Sequence, residues 1–209
     1  MRVSIIAKQG LLPILFWLVL ALLPYLFGMP WWYGVPMLLL TGLSAYLFRD
    51  LPRKVPPQAR VILSPLDGTI LSVEKTEDPY CDRPAIRIEA LTHWSGPFVL
   101  RSPQEGKVQE QWFSPAGRDL DGAKRASLMA LWIRSDEDED VVMVVNPRWR
   151  MFSMACRAHT GERVGQGRRC GFIPFGAYVE VFLPDNARIE IEAGARVTAG
   201  DTILARLVS

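Results

Sequence analysis

The sequence predicts a mainly β domain, of barrel or sandwich type, preceded by a transmembrane hairpin of two helices. Residues 9–48 contain no charged side chain, whereas residues 50–209 hold all 22 acidic residues and 21 of the 24 basic ones. The charged part consists of short alternating or β-branched stretches that Gly, Pro and Asp separate. None of it shows a long helical period, so strands are expected after the uncharged run.

The uncharged run is the first predicted element and is assigned to residues 1–50. Its 40 residues form about 60 Å of helix, roughly twice the 30 Å hydrocarbon thickness of a bilayer, so two spans at 10–27 and 31–48 are expected. Basic residues flank both ends, which predicts the inner cell membrane with the following domain in the cytoplasm. Two alternatives remain: a signal peptide, although no cleavage site is visible, and a hairpin buried in a core, although few residues remain to cover it.

The charged part is predicted to begin with a proline-stiffened linker at 51–59 and to form a β-rich domain over 60–209. Turn signals such as Asp67-Gly68 and Asp185-Asn186 separate its stretches. Ten strands are expected, at 60–63, 69–74, 85–91, 106–112, 127–134, 140–146, 150–157, 178–183, 188–192 and 202–207.

Composition excludes several classes of function. Residues 50–209 carry 21 basic against 22 acidic residues, a formal charge of −1, which argues against a nucleic-acid-binding surface. The three cysteines form no CxxC pair, so neither a disulfide framework nor a zinc site is expected, and a reducing compartment fits. The acidic run 136–140 is interpreted as a solvated hairpin loop, and His93 and His159 have no partners at metal-ligand spacing. No metal site is predicted.

Five motifs occur in a fixed order along the chain. They are FRDLPR at 48–53, SPLDGTI at 64–70, RSPQEG at 101–106, GRRCGFIPFGAYVEVFLP at 167–184 and ARVTAGDTILARL at 195–207. Each motif alone is weak, since SPxDG is first of all a turn with Gly at its end. Together they resemble the short, membrane-associated form of the phosphatidylserine decarboxylases.

The resemblance implies a specific chemistry. Family members are precursors in which the Ser of a Gly-Ser pair attacks the preceding carbonyl, and elimination then leaves an N-terminal pyruvoyl group. That group forms a Schiff base with phosphatidylserine, which loses carbon dioxide to give phosphatidylethanolamine. The Asp of SPxDG and a His ahead of the R-x-P segment assist the self-cleavage as acid and base.

The motif positions of this chain depart from that scheme at two of three catalytic residues. Asp67 matches the family aspartate, but Phe98 stands at the histidine position and Ala177 follows Gly176 at the serine position. A methyl group has no lone pair for the attack. We therefore expect no self-processing and no pyruvoyl cofactor. A substitution engineered to block cleavage would need only the serine position, so Phe98 favours natural divergence.

The leading hypothesis is a non-cleaving phosphatidylserine decarboxylase homologue, a pseudoenzyme that binds a phosphatidylserine-like headgroup in the membrane. Arg101, Arg168 and Arg169 are candidate ligands of the lipid phosphate or carboxylate. One alternative is an active decarboxylase, a carboxy-lyase that processes by another route. The other is a membrane-anchored scaffold or adaptor related to biotinyl/lipoyl domains, although 176–209 lack a lysine for covalent attachment. Both a homo-oligomer and pairing with another protein stay open.

Overall fold

The computed structural model describes residues 6–7, 10–113, 129–148, 156 and 158–208. The chain divides into two compact units, Met1–Pro52 and Arg53–Ser209. The first unit is helical and the second is built from strands.

The first unit is a helical hairpin that is shorter than the sequence predicts. Helix α1 runs over Leu11–Leu26, a 3-10 turn over Trp31–Tyr33 and helix α2 over Gly34–Leu47. The helices have 16 and 14 residues, which correspond to about 24 and 21 Å of rise, less than the roughly 30 Å of a bilayer core. In the described part of the chain, no helix is long and apolar enough to cross a membrane. The predicted spans at 10–27 and 31–48 are therefore not supported.

The second unit is mainly β, as predicted, and its largest sheet curls into half a barrel. Its strands are β1 Val61–Leu63, β2 Gly68–Asp78, β3 Arg83–Thr92, β4 Val99–Arg101, β5 Gly106–Phe113, β6 Met129–Arg134, β7 Asp140–Pro147, β8 Arg163–Val164, β9 Arg169–Phe172, β10 Ala177–Pro184, β11 Arg188–Ile189, β12 Arg196–Val197 and β13 Ile203–Arg206.

The strands form three antiparallel groups. Eight of them make the large sheet in the order β12-β2-β3-β10-β7-β6-β5-β8, while β1, β13 and β11 form a small sheet and β4 and β9 form a ribbon. The central strand β10 pairs with β3 on one side and β7 on the other. The start of β10 therefore lies between the end of β3 and the end of β7.

Both faces of the central sheet are covered, which explains the nearly continuous apolar run in β7. Val141, Met143 and Val145 point into the main core, whereas Val142 and Val144 pack on the other face with Tyr80 and Phe182. Side chains alternate across a strand, so a strand that is buried on both faces has no polar position.

Nine of the ten predicted strands are present, with bounds that shift by a few residues. The tenth, at 150–157, lies outside the described residues except for Cys156. Residues 136–139 of the acidic run lie in the turn between β6 and β7, as predicted, and Asp140 begins β7. Four short strands, β4, β8, β9 and β12, were not predicted, because each has only two to four residues, too few to show an alternating pattern.

Candidate functional site

Asp67 lies in a tight turn between β1 and β2. The Ser64 hydroxyl donates to the Leu66 carbonyl at 2.7 Å and closes the turn. Arg53 Nη2 donates to Asp67 Oδ1 at 2.7 Å. Burial raises the pKa of Asp67 above its ordinary value, and the Arg53 guanidinium lowers it in part. The next residue, Gly68, has no room for a side chain, because a Cβ there would lie 2.0 Å from the Leu91 carbonyl oxygen.

The turn before β10 holds two successive residues in the left-handed region. Phe175 has φ of +64° and Gly176 has φ of +86°. A positive φ is rare for a bulky residue, so the surrounding contacts must hold the turn in place. Gly176 N–H donates to the Ile173 carbonyl at 3.2 Å, and the Gly176 carbonyl accepts from Arg148 N–H at 3.1 Å. The Gly176–Ala177 peptide is thus fixed at the start of the central strand β10.

Thr92, the last residue of β3, contacts this peptide from the opposite strand. Its buried hydroxyl donates to the Ala177 carbonyl at 3.1 Å and accepts from Ala177 N–H at 3.3 Å. Sequence reasoning missed Thr92. Its only signal is its place at the end of an alternating stretch, and the register that brings it to Ala177 is a property of the sheet.

Phe98 and Ala177 line the same small cavity, although they are far apart in the sequence. The cavity holds about 10 Å³, and Thr92, Leu66 and Ile173 are also part of its wall. The Phe98 ring packs against Phe172 and Phe175 with centroid separations of 6.4 and 6.3 Å. At this volume, about that of one water molecule, the aromatic side chains fill most of the space beside the Gly176–Ala177 peptide.

Two of the three predicted arginines line a second, larger cavity of about 170 Å³. Arg168 and Arg169 are exposed and lie there with Ser102 and Glu162. Arg101, in contrast, is buried, and its Nη1 donates to the Gly167 carbonyl at 3.0 Å. The two cavities share no lining residue, so the structure separates the arginine positions from the Phe98–Ala177 position.

Two free thiols, Cys156 and Cys170, form another part of the larger cavity wall. The hydrogen bond to Cys156, together with burial, raises the pKa of Cys170 well above its usual value. The thiol of Cys170 is therefore protonated at neutral pH. A protonated thiol is a poor nucleophile and a poor metal ligand.

Comparison with known proteins identifies the family. The family model described as Phosphatidylserine decarboxylase matches residues 40–205. The chain belongs to the phosphatidylserine decarboxylase family. Relatives named phosphatidylserine decarboxylase proenzyme are similar to it over most of its length, and no solved structure matches it. The relative from Nitrosomonas eutropha is 36% identical over 205 residues, covering 96% of this chain and 94% of the relative.

Two further relatives of the same name support the assignment. The one from Nitrosomonas europaea is 35% identical over 179 residues, covering 84% of this chain and 83% of the relative. The one from Burkholderia mallei is 36% identical over 210 residues, covering 97% of this chain and 95% of the relative.

The decarboxylase family depends on a pyruvoyl group, and the residues of this chain do not fit the formation of one. The group would arise from the residue after Gly176, where Ala177 carries a methyl group. The Thr92 hydroxyl, which lies on another strand, accepts a hydrogen bond from the Ala177 N–H of this peptide. A break before Ala177 would make residue 177 the new N-terminal residue. Thr92 lies inside the chain, so it could not become an N-terminal pyruvoyl group.

Proposed function

We propose that this chain is a phosphatidylserine decarboxylase homologue that does not self-process and carries no pyruvoyl group. The proposal rests on one observation: Ala177 follows Gly176 in a turn with left-handed backbone geometry, and Phe98 lines the same cavity as Ala177. The reaction needs an oxygen nucleophile on residue 177 and a proton acceptor beside it. Both positions carry apolar side chains, so the scaffold remains while the reacting groups are absent.

The ligand we propose is a phosphatidylserine-like headgroup in the cavity of about 170 Å³. The exposed guanidinium groups of Arg168 and Arg169 suit a phosphate, because planar N–H donors match its oxygens in pairs. Glu162 lines the same cavity and offers a carboxylate to the headgroup ammonium. The headgroup, which carries a phosphate, a carboxylate and an ammonium group, thus meets charges of both signs.

The location we propose is the cytoplasmic surface of the inner cell membrane. A lipid substrate class is implied by the family, and the helical hairpin leaves many large apolar side chains exposed. They include Leu12, Leu26, Phe27, Trp31 and Leu39, each at least 65% exposed. Exposed apolar surface of this kind favours contact with lipid at the bilayer interface.

Intact-mass measurement of the purified protein tests the absence of processing. We expect one uncleaved chain of 23.5 kDa. A break between Gly176 and Ala177 with a modified new terminus would refute the proposal and favour an active decarboxylase. Release of carbon dioxide from phosphatidylserine by membranes that contain the protein is the independent assay, and we expect none above membranes that lack it.

Headgroup binding is tested with vesicles of phosphatidylserine in phosphatidylcholine. We expect Arg169→Ala to weaken binding to these vesicles by about tenfold, the value of one charge-assisted contact. Arg196→Ala is the matched control, because Arg196 is also exposed but lies on β12, outside the cavity. Equal losses for both variants would mean that only overall charge matters.

A further inference from the structure

Two of the three cysteines lie together in the wall of the larger cavity, and the proposed function uses neither of them. Cys156 and Cys170 both line this cavity, whereas Cys81 packs against the cluster on the other face of the large sheet. All three are free thiols. A hydrogen bond between Cys170 and Cys156 brings the two sulfur atoms into contact. Two thiols in contact beside a cavity can form a disulfide within one chain, which a solitary thiol cannot do.

Each thiol of the pair is held by a different strand. Gln111 Nε2 on β5 donates to the Cys156 carbonyl at 2.6 Å and fixes the backbone there. Cys170 lies on β9, where the register with β4 shifts between Leu100 and Arg101. Cys170 is therefore the extra residue of a β-bulge and lies between the paired residues of its strand. A small movement of Cys170 toward Cys156 thus leaves the pairing of β4 with β9 in place.

The hydrogen bond between the thiols gives the two sulfur atoms different roles. Together with burial, it raises the pKa of Cys170, so Cys170 keeps its proton and is the donor. The sulfur of Cys156 is the acceptor, and it is the one that can attack an oxidant, because thiolates rather than thiols are nucleophilic. A small oxidant can enter, since the cavity of about 170 Å³ is many times larger than one water molecule needs.

We propose that Cys156 and Cys170 are an oxidative modification site at which hydrogen peroxide forms a disulfide within the chain. The Cys156 sulfur attacks one peroxide oxygen, an S–O bond forms as the O–O bond breaks, and a sulfenic acid and water result. The Cys170 sulfur then attacks the Cys156 sulfur. The S–S bond forms, the S–O bond breaks, and the hydroxide leaves as water with the Cys170 proton. Two thiols are oxidised, and one peroxide is reduced to two molecules of water.

The disulfide narrows the cavity of the proposed headgroup site, and this consequence rests on the proposed function. An S–S bond of about 2 Å replaces a longer contact between two sulfur atoms. Arg168 and Arg169 directly precede Cys170 and lie in the same cavity wall. A movement of Cys170 toward Cys156 therefore also moves the guanidinium groups that bind the phosphate. We expect the oxidised chain to bind the headgroup less tightly than the reduced chain.

Counting thiols tests the disulfide directly. The full chain is reduced, freed of reductant, treated with hydrogen peroxide and then alkylated with iodoacetamide in denaturant. Intact mass should show one label per chain after oxidation, on Cys81, against three before it. Burial and the charge of Asp78 raise the pKa of Cys81 to about 12, so it stays a thiol. Cys81→Ser is the matched control and should form the disulfide with no label left. Three labels after oxidation, or a dimer linked through Cys81, would overturn the proposal.

Single variants of the pair test the two roles. Cys170→Ser should stop at the sulfenic acid of Cys156, which dimedone traps and intact mass detects. Cys156→Ser should take up no dimedone, because the remaining Cys170 keeps its proton. Circular dichroism checks that both variants fold. Dimedone on Cys156→Ser alone would reverse the assignment of the attacking sulfur, whereas the label count of the wild type tests the disulfide without any variant.

Vesicles of phosphatidylserine in phosphatidylcholine test the narrowing of the cavity. We expect the oxidised wild type to bind them about tenfold more weakly than the reduced wild type, as for the loss of one charge-assisted contact, and dithiothreitol to restore binding. Cys156→Ser, treated in the same way, should keep its affinity. A disulfide without a change in affinity would refute the narrowing. A reduced chain that binds these vesicles no better than pure phosphatidylcholine would refute the headgroup site while leaving the disulfide intact.

Discussion

The two walls of the small cavity beside Ala177 differ in whether they carry the residues of the family motifs. One wall, the polar wall, is the turn 64–68, which reaches the cavity through Leu66 and carries the Asp67 carboxylate, its Arg53 partner and Gly68. The other wall is apolar, with Phe98 packed on Phe175 and Ala177 at the start of β10. The residues of the first wall also have structural roles. Those of the second wall, in the family scheme, serve the chemistry.

This difference indicates which residues the fold itself requires. The Asp67 turn is held by Ser64 and by the close approach of Gly68 to Leu91, so its sequence is constrained even without catalysis. The backbone of the second wall is constrained in the same way, because Thr92 and Arg148 hold the Gly176–Ala177 peptide. The side chains of Phe98 and Ala177, in contrast, stand where the family scheme expects a histidine and a serine.

The largest expected effect comes from restoring both side chains of the apolar wall. We expect the double variant Phe98→His with Ala177→Ser to cleave itself before residue 177, whereas the wild type does not. The left-handed turn and the Thr92 contacts already hold the peptide, so the serine would supply the missing nucleophile and the histidine the proton acceptor. Two fragments on a denaturing gel report the reaction.

Two single variants serve as controls for this experiment. Ala177→Ser alone should cleave more slowly, by a factor of about 100 or more, because general acid–base assistance is missing. Phe98→His alone should not cleave. If the double variant folds, as judged by circular dichroism, and stays intact, then more than these two side chains separates the chain from its relatives.

Removal of the Phe98 ring tests how much the apolar wall contributes to stability. Phe98 is 3% exposed and contacts two further aromatic rings, so Phe98→Ala should lower the free energy of unfolding by about 3–5 kcal/mol. Phe175→Ala is the matched control, and the loss should be nearer 1 kcal/mol because its ring is 42% exposed. Urea unfolding measures both. Equal losses would contradict the assignment of Phe98 to the core.

A methyl group at Gly68 tests the structural role of the polar wall. The new Cβ would lie 2.0 Å from the Leu91 carbonyl oxygen and 2.6 Å from a methyl carbon of Leu66, so the strand pair must shift. We expect Gly68→Ala to lower the free energy of unfolding by about 1–3 kcal/mol. Gly165→Ala, where nothing lies within 4 Å, should change it by less than about 1 kcal/mol. Similar values for the two variants would mean that Gly68 is not sterically required.

Much of the β-rich domain was predictable from the sequence because its long strands carry local signals. The run VVMVV in β7 and the turn signal at Asp67-Gly68 each have a cause within a few residues. The helical hairpin was predicted at the right place but with helices that are too long. Charge counts indicate where an apolar run begins and ends, but they do not show how many of its residues are helical. The turn around Gly28 and the 3-10 segment Trp31–Tyr33 occupy residues of that run, so the two helices are shorter.

The candidate site was predictable only where a motif marks it. The motifs identified Asp67, Phe98 and Ala177, and the structure brings Phe98 and Ala177 to one cavity. No motif includes Thr92, and its hydrogen bonds with the Ala177 backbone depend on the register between β3 and β10. The burial of Arg101 was equally hidden, because burial is set by the strands that surround a residue rather than by its neighbours in the chain.

Removal of Arg53 should produce the smallest effect, and it tests the electrostatics of the polar wall. Burial raises the pKa of Asp67 above its ordinary 3.8, while Arg53 lowers it in part. The protonated carboxyl therefore favours the folded state, and this stabilisation is complete below about pH 3.8 and lost as pH rises through the folded pKa. Without the guanidinium the folded pKa rises further, so Arg53→Met should lose more stability as pH rises, by about 1 kcal/mol or less.

Urea unfolding between about pH 3 and pH 7 measures this dependence, with Asp67→Asn as the reference that removes the titrating group. In the Asp67→Asn background, Arg53→Met should no longer change the pH profile, because the interaction has lost one partner. Arg87→Met is the matched control, since Arg87 forms an ion pair with the exposed Glu74 at 2.9 Å. A steeper profile for Arg53→Met than for Arg87→Met means that the carboxylate of Asp67 depends on its cation. If the two profiles coincide, the polar wall is retained for its turn geometry alone.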